Sequence, residues 1–299
     1  MKKFNFKSIA LGVCALFYGF SVNAQEPCEE WSVYISDASG SNSTIYIADL
    51  DEVNETAELT AIKSVDYPVH LAFNETNGLL YLINSSNGSF QTLEPEIDGE
   101  LGPVINLSTP ASQSVTAAFN NEGKLLIGSQ NDSKIYIVDA VTGERNFYAD
   151  ADISGGDIAF DSNENLYLAT RSNGRLQLVI PGFDSMTMGY VPGSVTGLAL
   201  AEDGNFLASA NGNTSLVTRT PGGDDAGLNY ALSLGGETFT LGNGDMASGC
   251  NAGDDPNPGI LGCYGFEVLE YEQGTGNIAP VRLDPTQALG EPQRDNSNG

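Results

Sequence analysis

Five residues recur at one position of a repeated strand, and their side chains could together form a small polar site. Each stands two residues before an alanine: His70, Thr116, Asp157, Gly197 and Asp245. We call this the ring position. One imidazole, one hydroxyl and two carboxylates brought together could hold a divalent cation such as calcium, or polarise a bound substrate. The alternative is structural. Asp157 and Asp245 would then cap backbone amides after Gly-Gly and Asn-Gly, and His70 would be a hydrogen-bonded polar residue of the core.

Two enzyme templates can be compared with these residues. A Ser-His-Asp hydrolase would have to use His70, the only histidine, and no Gly-x-Ser-x-Gly turn accompanies it. Asp157 and Asp245 could supply an acid and a base for a carbohydrate- or lactone-acting hydrolase, but none of the repeated strands offers a glutamate. No Cys/His metal spacing, phosphate-binding loop or EF-hand loop is present. The sequence therefore assigns no catalytic residue.

The spacing of the alanines identifies the elements that must position the ring residues. They recur every 40 to 48 residues: Ala72, Ala118, Ala159, Ala199 and Ala247. A second strand follows the first four of these strands, for example Leu79–Ile83, and a third and a looser fourth come after it, the fourth at 104–107, 146–149, 186–191 and 228–234. Four strands per repeat of this length predict blades of a β-propeller. Alanine suits the innermost strand, because these strands converge on the axis.

The last repeated strand predicts how the ring closes. Residues 243–248 match 155–160, but no second, third or fourth strand of similar quality follows them. Such strands lie instead near the N-terminus, at 31–36, 43–48 and 58–65. The sequence therefore predicts an all-β fold, a single β-propeller of five four-stranded blades, with N- and C-terminal strands sharing the closing blade. Six blades remain the alternative if residues 264–271 begin another one.

The repeat motif carries a family resemblance. An inner strand is followed by a D/N-x-x-G/N turn and then by a segment such as KIYIVDAVTG, Lys134 to Gly143. This pattern resembles the NHL, gluconolactonase and YVTN group of propeller repeats, and also repeats of large bacterial secreted surface proteins, over about residues 31–250. The resemblance implies the propeller fold. Gluconolactonase-type enzymes hold a divalent metal through Glu, Asn and Asp in the channel, and that Glu is missing from the inner strands here.

The N-terminus predicts export. Lys2, Lys3 and Lys7 precede an apolar stretch, and Val22-Asn23-Ala24 forms a small-residue cleavage site, so residues 1–24 are interpreted as a signal peptide. Residues 25–250 would form the propeller, 251–281 an extension packing on or near it, and 282–299 a disordered tail. We expect a periplasmic, extracellular or cell-surface protein without membrane insertion. The chain could also be a piece of a longer surface protein.

Three cysteines remain after the signal peptide. Cys28 lies just before the second strand of the closing blade and Cys250 just after its first, so a Cys28–Cys250 disulfide would lock the ring. A Cys250–Cys263 bond, closing a Gly- and Pro-rich loop, is the alternative. One cysteine is left unpaired in either case.

Charge narrows the possible partners. The chain has 39 acidic and 12 basic residues, a formal net charge of −27. Such a field repels nucleic acid and anionic membranes and favours cations, although it also serves solubility. We expect a monomeric binding or scaffold module whose partner is a glycan, a surface protein or a cation. The alternative is a hydrolase that uses the carboxylates of the ring position.

Overall fold

The structure is a computed structural model that describes residues 32–108 and 114–249, together with two short strands at 268–271 and 278–281. This part of the chain is all-β and contains no helix, so it has no helix able to cross a membrane. The strands up to residue 150 are β1 Val33–Ser39, β2 Asn42–Asp51, β3 Thr56–Val65, β4 Val69–Asn74, β5 Leu79–Asn84, β6 Phe90–Leu93, β7 Ser114–Phe119, β8 Leu125–Ser129, β9 Lys134–Val138 and β10 Arg145–Asp150.

The remaining strands continue the same alternation of short strands and tight turns. They are β11 Gly156–Phe160, β12 Leu166–Thr170, β13 Arg175–Val179, β14 Met186–Tyr190, β15 Val195–Leu200, β16 Phe206–Ala210, β17 Ser215–Arg219, β18 Asp225–Leu234, β19 Glu237–Thr238, β20 Asn243–Ser248, β21 Val268–Tyr271 and β22 Ile278–Val281. Consecutive strands pair antiparallel in the sheets β4-β5-β6, β7-β8-β9-β10, β11-β12-β13-β14 and β15-β16-β17-β18.

The sheets are arranged as in a β-propeller. The strands that carry the ring position, β4, β7, β11, β15 and β20, contact one another in a closed cycle, each touching the next and the last touching the first. We call them the central strands. Neighbouring sheets pack face to face through apolar side chains. Tyr81 of β5, for example, lies edge-on against Phe119 of β7, with ring centroids 4.7 Å apart.

The first and last strands of the ring, β1 and β20, meet in one sheet. Strand β1 pairs antiparallel with both β2 and β20, and the order β20-β1-β2-β3 places a C-terminal strand innermost. Val33 is the partner of Ser248 in this register. The outer strand β18 pairs in parallel with β3 over Ala231–Leu234 and Thr56–Leu59, so a second ladder joins the neighbouring sheet to this one.

Acidic and amide side chains of the repeat motif form its turns. Asp139 Oδ1 accepts hydrogen bonds from the amides of Val141 and Thr142, both at 2.8 Å. Gly143 closes this turn with φ of 70°, and a Cβ there would lie 2.1 Å from the carbonyl oxygen of Asn106. The motif D-x-x-T-G is therefore a turn device, and many of the excess acids serve local backbone geometry.

One sequence expectation is corrected. A fourth strand at residues 104–107 is not formed as an element. Single bridges, Leu93 to Leu101 and Phe90 to Ile105, stand in its place, and Pro103 between them has no amide hydrogen to donate. The hairpin of β12 and β13 turns at Asn173-Gly174, and of these two residues Gly174 has a positive φ, of 64°.

Several other sequence predictions fall outside the described residues. These are the signal peptide, all three remaining cysteines, most of 251–281 and the tail 282–299. Within 264–271, where a further blade was the alternative, the structure describes β21, whose only described partner is β22.

Candidate functional site

Three of the five ring residues accept a hydrogen bond from the neighbouring central strand. Thr116 Oγ1 accepts a hydrogen bond of 2.6 Å from the amide of Ile158, and Asp157 Oδ2 accepts one of 2.7 Å from the amide of Leu198. Asp245 Oδ2 accepts one of 2.6 Å from the amide of Leu71. In each case the donor is the residue that follows the ring position on the next central strand.

Strand geometry explains these three hydrogen bonds. A central strand is paired with its own sheet on one edge only, so the amides of its other edge need acceptors within the ring. Short side chains with oxygen atoms, such as Thr and Asp, can reach them across the gap between strands. Asp157 and Asp245 thus each cap an amide of the neighbouring sheet, and the amide of Met246, on its own strand, also donates to Asp245. Asp157 also accepts a 2.8 Å bond from the amide of Ile158.

Gly197 is the member of the ring position without a side chain. A Cβ built on it would lie 2.6 Å from Met246 Cγ and 2.6 Å from Ser209 Oγ. The space is therefore filled from the adjacent strands, and Gly197 contributes no polar group to the ring.

Asp157 and Asp245 form a buried acidic pair. Both are 0% exposed. Burial raises the pKa of each carboxyl well above its usual range, and the charge of Asp245 raises that of Asp157 further. The Thr116 hydroxyl donates to Asp157 Oδ1 at 2.6 Å, which opposes part of this rise. Two carboxylates in one buried site do not readily ionise together, so the pair retains a proton above the usual pKa of aspartate.

His70 lies beside this pair. Its Nδ1 is 3.4 Å from Asp245 Oδ1, and within the described residues neither atom has a hydrogen-bond partner. The distance alone would suit an ion pair. However, burial lowers the pKa of His70 to about 4, against a smaller opposing effect of the Asp157 charge, so the imidazole is neutral at neutral pH. The contact is therefore one between a neutral ring and a carboxyl group.

A cavity of about 450 Å³ opens above His70 at the end of the ring where the central strands begin. We call it the channel mouth. Its described lining residues are Ala38, Gly40, Pro68, Val69, His70, Ser85, Gln130, Ser154, Gly155, Gly156, Arg171, Thr196, Asn243 and Gly244. No carboxylate is among them, although the chain has three times more acids than bases. Thr196 Oγ1 is buried there without a hydrogen-bond partner among the described residues.

Arg171 is the cationic group of the channel mouth. Its Nη2 donates a 2.6 Å hydrogen bond to Asn243 Oδ1, and Asn211 Nδ2 donates to the same oxygen at 3.2 Å. This network holds the guanidinium at the turn after β12, next to the start of β20. Sequence reasoning missed both Arg171 and Asn243. One feature of the sequence could have indicated Arg171. It is a rare basic residue at the end of a second strand, and that end lies on the side of the ring where the central strands begin.

The opposite end of the channel is narrow and apolar. A cavity of about 20 Å³ remains there, bordered by residues such as Ala72, Phe73, Ala118, Phe160 and Met246. The small ring residues and these side chains leave no room for a ligand. Among the described residues, the mouth is therefore the end of the channel with room for a polar ligand.

The four predicted site residues are brought together, but they divide into two layers. His70 lines the mouth, whereas Thr116, Asp157 and Asp245 lie fully buried and bond to neighbouring strands. Neither carboxyl lines the mouth, so the geometry does not present them to a ligand there. Across the described part of the chain, no three or more His, Cys, Asp or Glu side chains are grouped to hold a metal ion.

Comparison with known proteins supports the fold. No protein-family model and no curated protein matches the sequence. The structure resembles β-propeller proteins. A nidogen/laminin complex matches with a TM-score of 0.50 and 13% identity, over 74% of this chain and 99% of that one. Virginiamycin B lyase from Staphylococcus aureus matches with a TM-score of 0.41 and 12% identity, over 69% and 76%. A Bacteroides caccae protein of unknown function matches with a TM-score of 0.40 and 14% identity, over 64% and 69%. Identities this low speak to the fold alone.

Proposed function

We propose that the chain is a binding module that takes a small, polyhydroxylated ligand bearing one carboxylate, such as a sugar acid, in the channel mouth. The observation that carries the proposal is a polar cavity of about 450 Å³ whose described lining includes a cation and no carboxylate, in a chain of net charge −27. Most of the surface of this protein repels anions, so the exception is informative.

The size and lining of the cavity support this ligand class. Small-molecule sites commonly have volumes of about 300 to 1,000 Å³. The described lining offers hydroxyl and amide groups from Ser85, Gln130, Ser154 and Thr196, which match the mixed donors and acceptors of sugar hydroxyls. The guanidinium of Arg171 can bind a carboxylate through parallel hydrogen bonds.

The buried pair contributes indirectly. Because burial raises the pKa of Asp157 and of Asp245, the group beneath the mouth carries less negative charge than two ionised carboxylates would. His70 remains neutral and can present a donor or an acceptor to the ligand. This arrangement permits an anionic group near the acidic pair.

Calorimetric titration with D-galacturonate, D-galactose and calcium chloride tests the proposal. We expect galacturonate to bind saturably and galactose to bind more weakly. In Arg171→Gln, galacturonate should bind about tenfold more weakly, because a charge-assisted hydrogen bond is lost. Arg145→Gln removes an equal charge from the outside of the ring, where the guanidinium lies over Tyr136, and serves as the control. Binding of calcium alone, or equal losses in both variants, would overturn the proposal.

We also propose that the ring has five blades and that β20 completes the blade formed by β1, β2 and β3. The closed cycle of contacts among five central strands and the pairing of β1 with β20 support this count. Small-angle scattering of the purified protein tests it, since a sixth complete blade would enlarge the ring.

We also propose that the protein is exported, and this proposal is supported by the N-terminal sequence alone. Residues 1–24 would be removed and 25–250 would form the exported ring, with the extension 251–281 and the tail 282–299 following. The expected partner is then an extracellular glycan or its fragments. Mass spectrometry of the protein from the exported fraction is expected to find Gln25 at the N-terminus, and recovery of uncleaved chain would contradict it.

A further inference from the structure

A second cavity lies on the outside of the ring, between the outer strands of two neighbouring sheets. Its volume is about 800 Å³. We call it the outer groove; its described lining residues are Asp132, Ser133, Phe147, Asp150, Ala151, Asp152, Arg175, Gln177, Gly182, Phe183, Asp184 and Ser185. None of them lines the channel mouth, so this site is independent of the function proposed above.

The outer groove combines exposed aromatic rings with carboxylates. Phe147 and Phe183 are 54% and 74% exposed. Four aspartates line the groove, and the single arginine there, Arg175, is bound to Asp152 at 2.7 Å. The groove therefore has a net negative charge beside two apolar faces, and both features attract cations.

Some buried polar atoms in the groove have no hydrogen-bond partner among the described residues. Gln177 is 4% exposed, and its Oε1 has no hydrogen-bond partner within the described part of the chain. Ser185 Oγ and Arg175 Nε are in the same condition. A buried carbonyl oxygen without a donor is unfavourable, and native proteins leave few of them. Gln177 lines the groove, and its amide oxygen is an acceptor that no described donor satisfies.

The chemistry of the groove selects a ligand rich in donors. Its carboxylates and the Gln177 oxygen are acceptors, whereas lysine and arginine side chains carry several donors and no acceptor. The protein itself contains one contact between an ammonium group and a ring beside the groove: the ammonium of Lys134 lies 5.6 Å from the ring centroid of Phe147. A volume of about 800 Å³ is ample for a short peptide segment.

We propose that the outer groove binds a basic peptide segment of a partner protein, with a lysine or arginine side chain between Phe183 and Asp184 and its donors directed at Gln177 Oε1. The long stem of either side chain covers the Phe183 ring, and its charged end meets the carboxylates. The groove would give the module a protein-docking site on the outside of the ring, apart from the mouth.

Calorimetry on the full mature protein, with acetylated and amidated tetralysine as the probe, tests the proposal at low and at physiological salt. The double variant Phe183→Ala/Asp184→Asn is expected to weaken binding about tenfold, from the loss of one cation–π contact and one carboxylate. The single variant Gln177→Leu removes the unpartnered oxygen and is expected to weaken binding about threefold.

The control is a pair of the same kind elsewhere on the surface. Ile97 is 68% exposed and follows the exposed Glu96, so Ile97→Ala/Glu96→Gln removes an equal charge and another large exposed apolar side chain. It is expected to leave binding within twofold. Equal losses in the groove and control variants would show general attraction to an acidic surface and overturn the proposal. Binding of neutral cellotetraose at the groove in place of tetralysine would overturn it as well.

Discussion

The contact between Asp245 and the amide of Leu71 joins the last central strand to the first, and its removal gives a quantitative test. Asp245→Ala leaves a buried amide without an acceptor, because Asp245 Oδ2 is the acceptor for that amide at 2.6 Å. An unsatisfied buried donor costs about 1–3 kcal/mol. In a domain of about 150 to 250 residues, 1 kcal/mol lowers Tm by about 2–4 °C, so a loss of roughly 2 to 12 °C is expected.

The isosteric variant Asp245→Asn separates the hydrogen bond from the charge. Its amide oxygen can still accept from Leu71, and its amide nitrogen would face His70 Nδ1, which lies 3.4 Å from Oδ1 in the native protein. The variant also removes an acid whose pKa is raised by burial. We therefore expect Asp245→Asn to be more stable than the native protein at neutral pH.

The sign of the pH dependence follows from linkage. A carboxyl with a raised folded pKa binds its proton more tightly in the folded state. Its contribution to the free energy of unfolding therefore falls as pH rises from the unfolded pKa of about 3.9 towards the folded value. His70 acts in the opposite direction, since its folded pKa of about 4 lies below the unfolded value of 6.5 and stability is lost as pH falls between them. Removing Asp245 should thus leave stability rising more steeply with pH from 4 upwards.

Chemical denaturation from pH 4 to pH 8 measures both effects. The control is Asp203→Asn, since Asp203 is an exposed turn residue that bonds to the amide of Asn205. It makes the same exchange in an exposed turn, so its effect gives the baseline for the Asp245→Asn comparison. The reasoning is refuted if Asp245→Asn and Asp245→Ala are equally destabilised, or if Asp245→Asn keeps the native pH profile.

Three further predictions concern packing and the chain ends. Gly197→Ala should cost about 1–3 kcal/mol in thermal unfolding, because its Cβ would lie 2.6 Å from Met246 Cγ, whereas Gly193→Ala, with nothing within 4 Å, should be neutral; equal effects would contradict this packing. Cys28 should be joined to Cys250 in peptide maps of unreduced protein, a bond worth on the order of 4 to 5 kcal/mol in the chain-entropy model, and a Cys250–Cys263 peptide would contradict it. Deleting 282–299 should leave Tm unchanged, and a drop of several degrees would show that the tail packs on the ring.

The fold was predictable because the sequence repeats, and the pairing of β1 with β20 is one example. Alanine at the ring and turn residues such as Asp139 and Gly143 recur because each sheet meets the same geometric demands. Residues 243–248 lacked following strands in the sequence, and β20 indeed pairs with β1. The irregular fourth strand after β6 could not be predicted, since single bridges depend on loop packing and have no periodicity.

The site was predicted less completely than the fold. The ring position was found from its alignment, because a repeated position must converge on one axis. Its division into a lining His70 and buried Thr116, Asp157 and Asp245 depends on depth along the channel, which spacing does not encode. Arg171 was missed because it lies in a turn outside the ring position, and its part in the mouth arises from a hydrogen bond to Asn243, far away in sequence.

The central claim is that the channel mouth is the ligand site, and His70 is a direct reporter of it. His70 is the single histidine of the chain, so its imidazole signals in a ¹H–¹⁵N NMR spectrum need no further assignment. Titration with D-galacturonate is predicted to shift these signals saturably, with the same Kd as calorimetry, and the shift should weaken in Arg171→Gln. Calorimetric binding of galacturonate that leaves the His70 signals unmoved would contradict the claim.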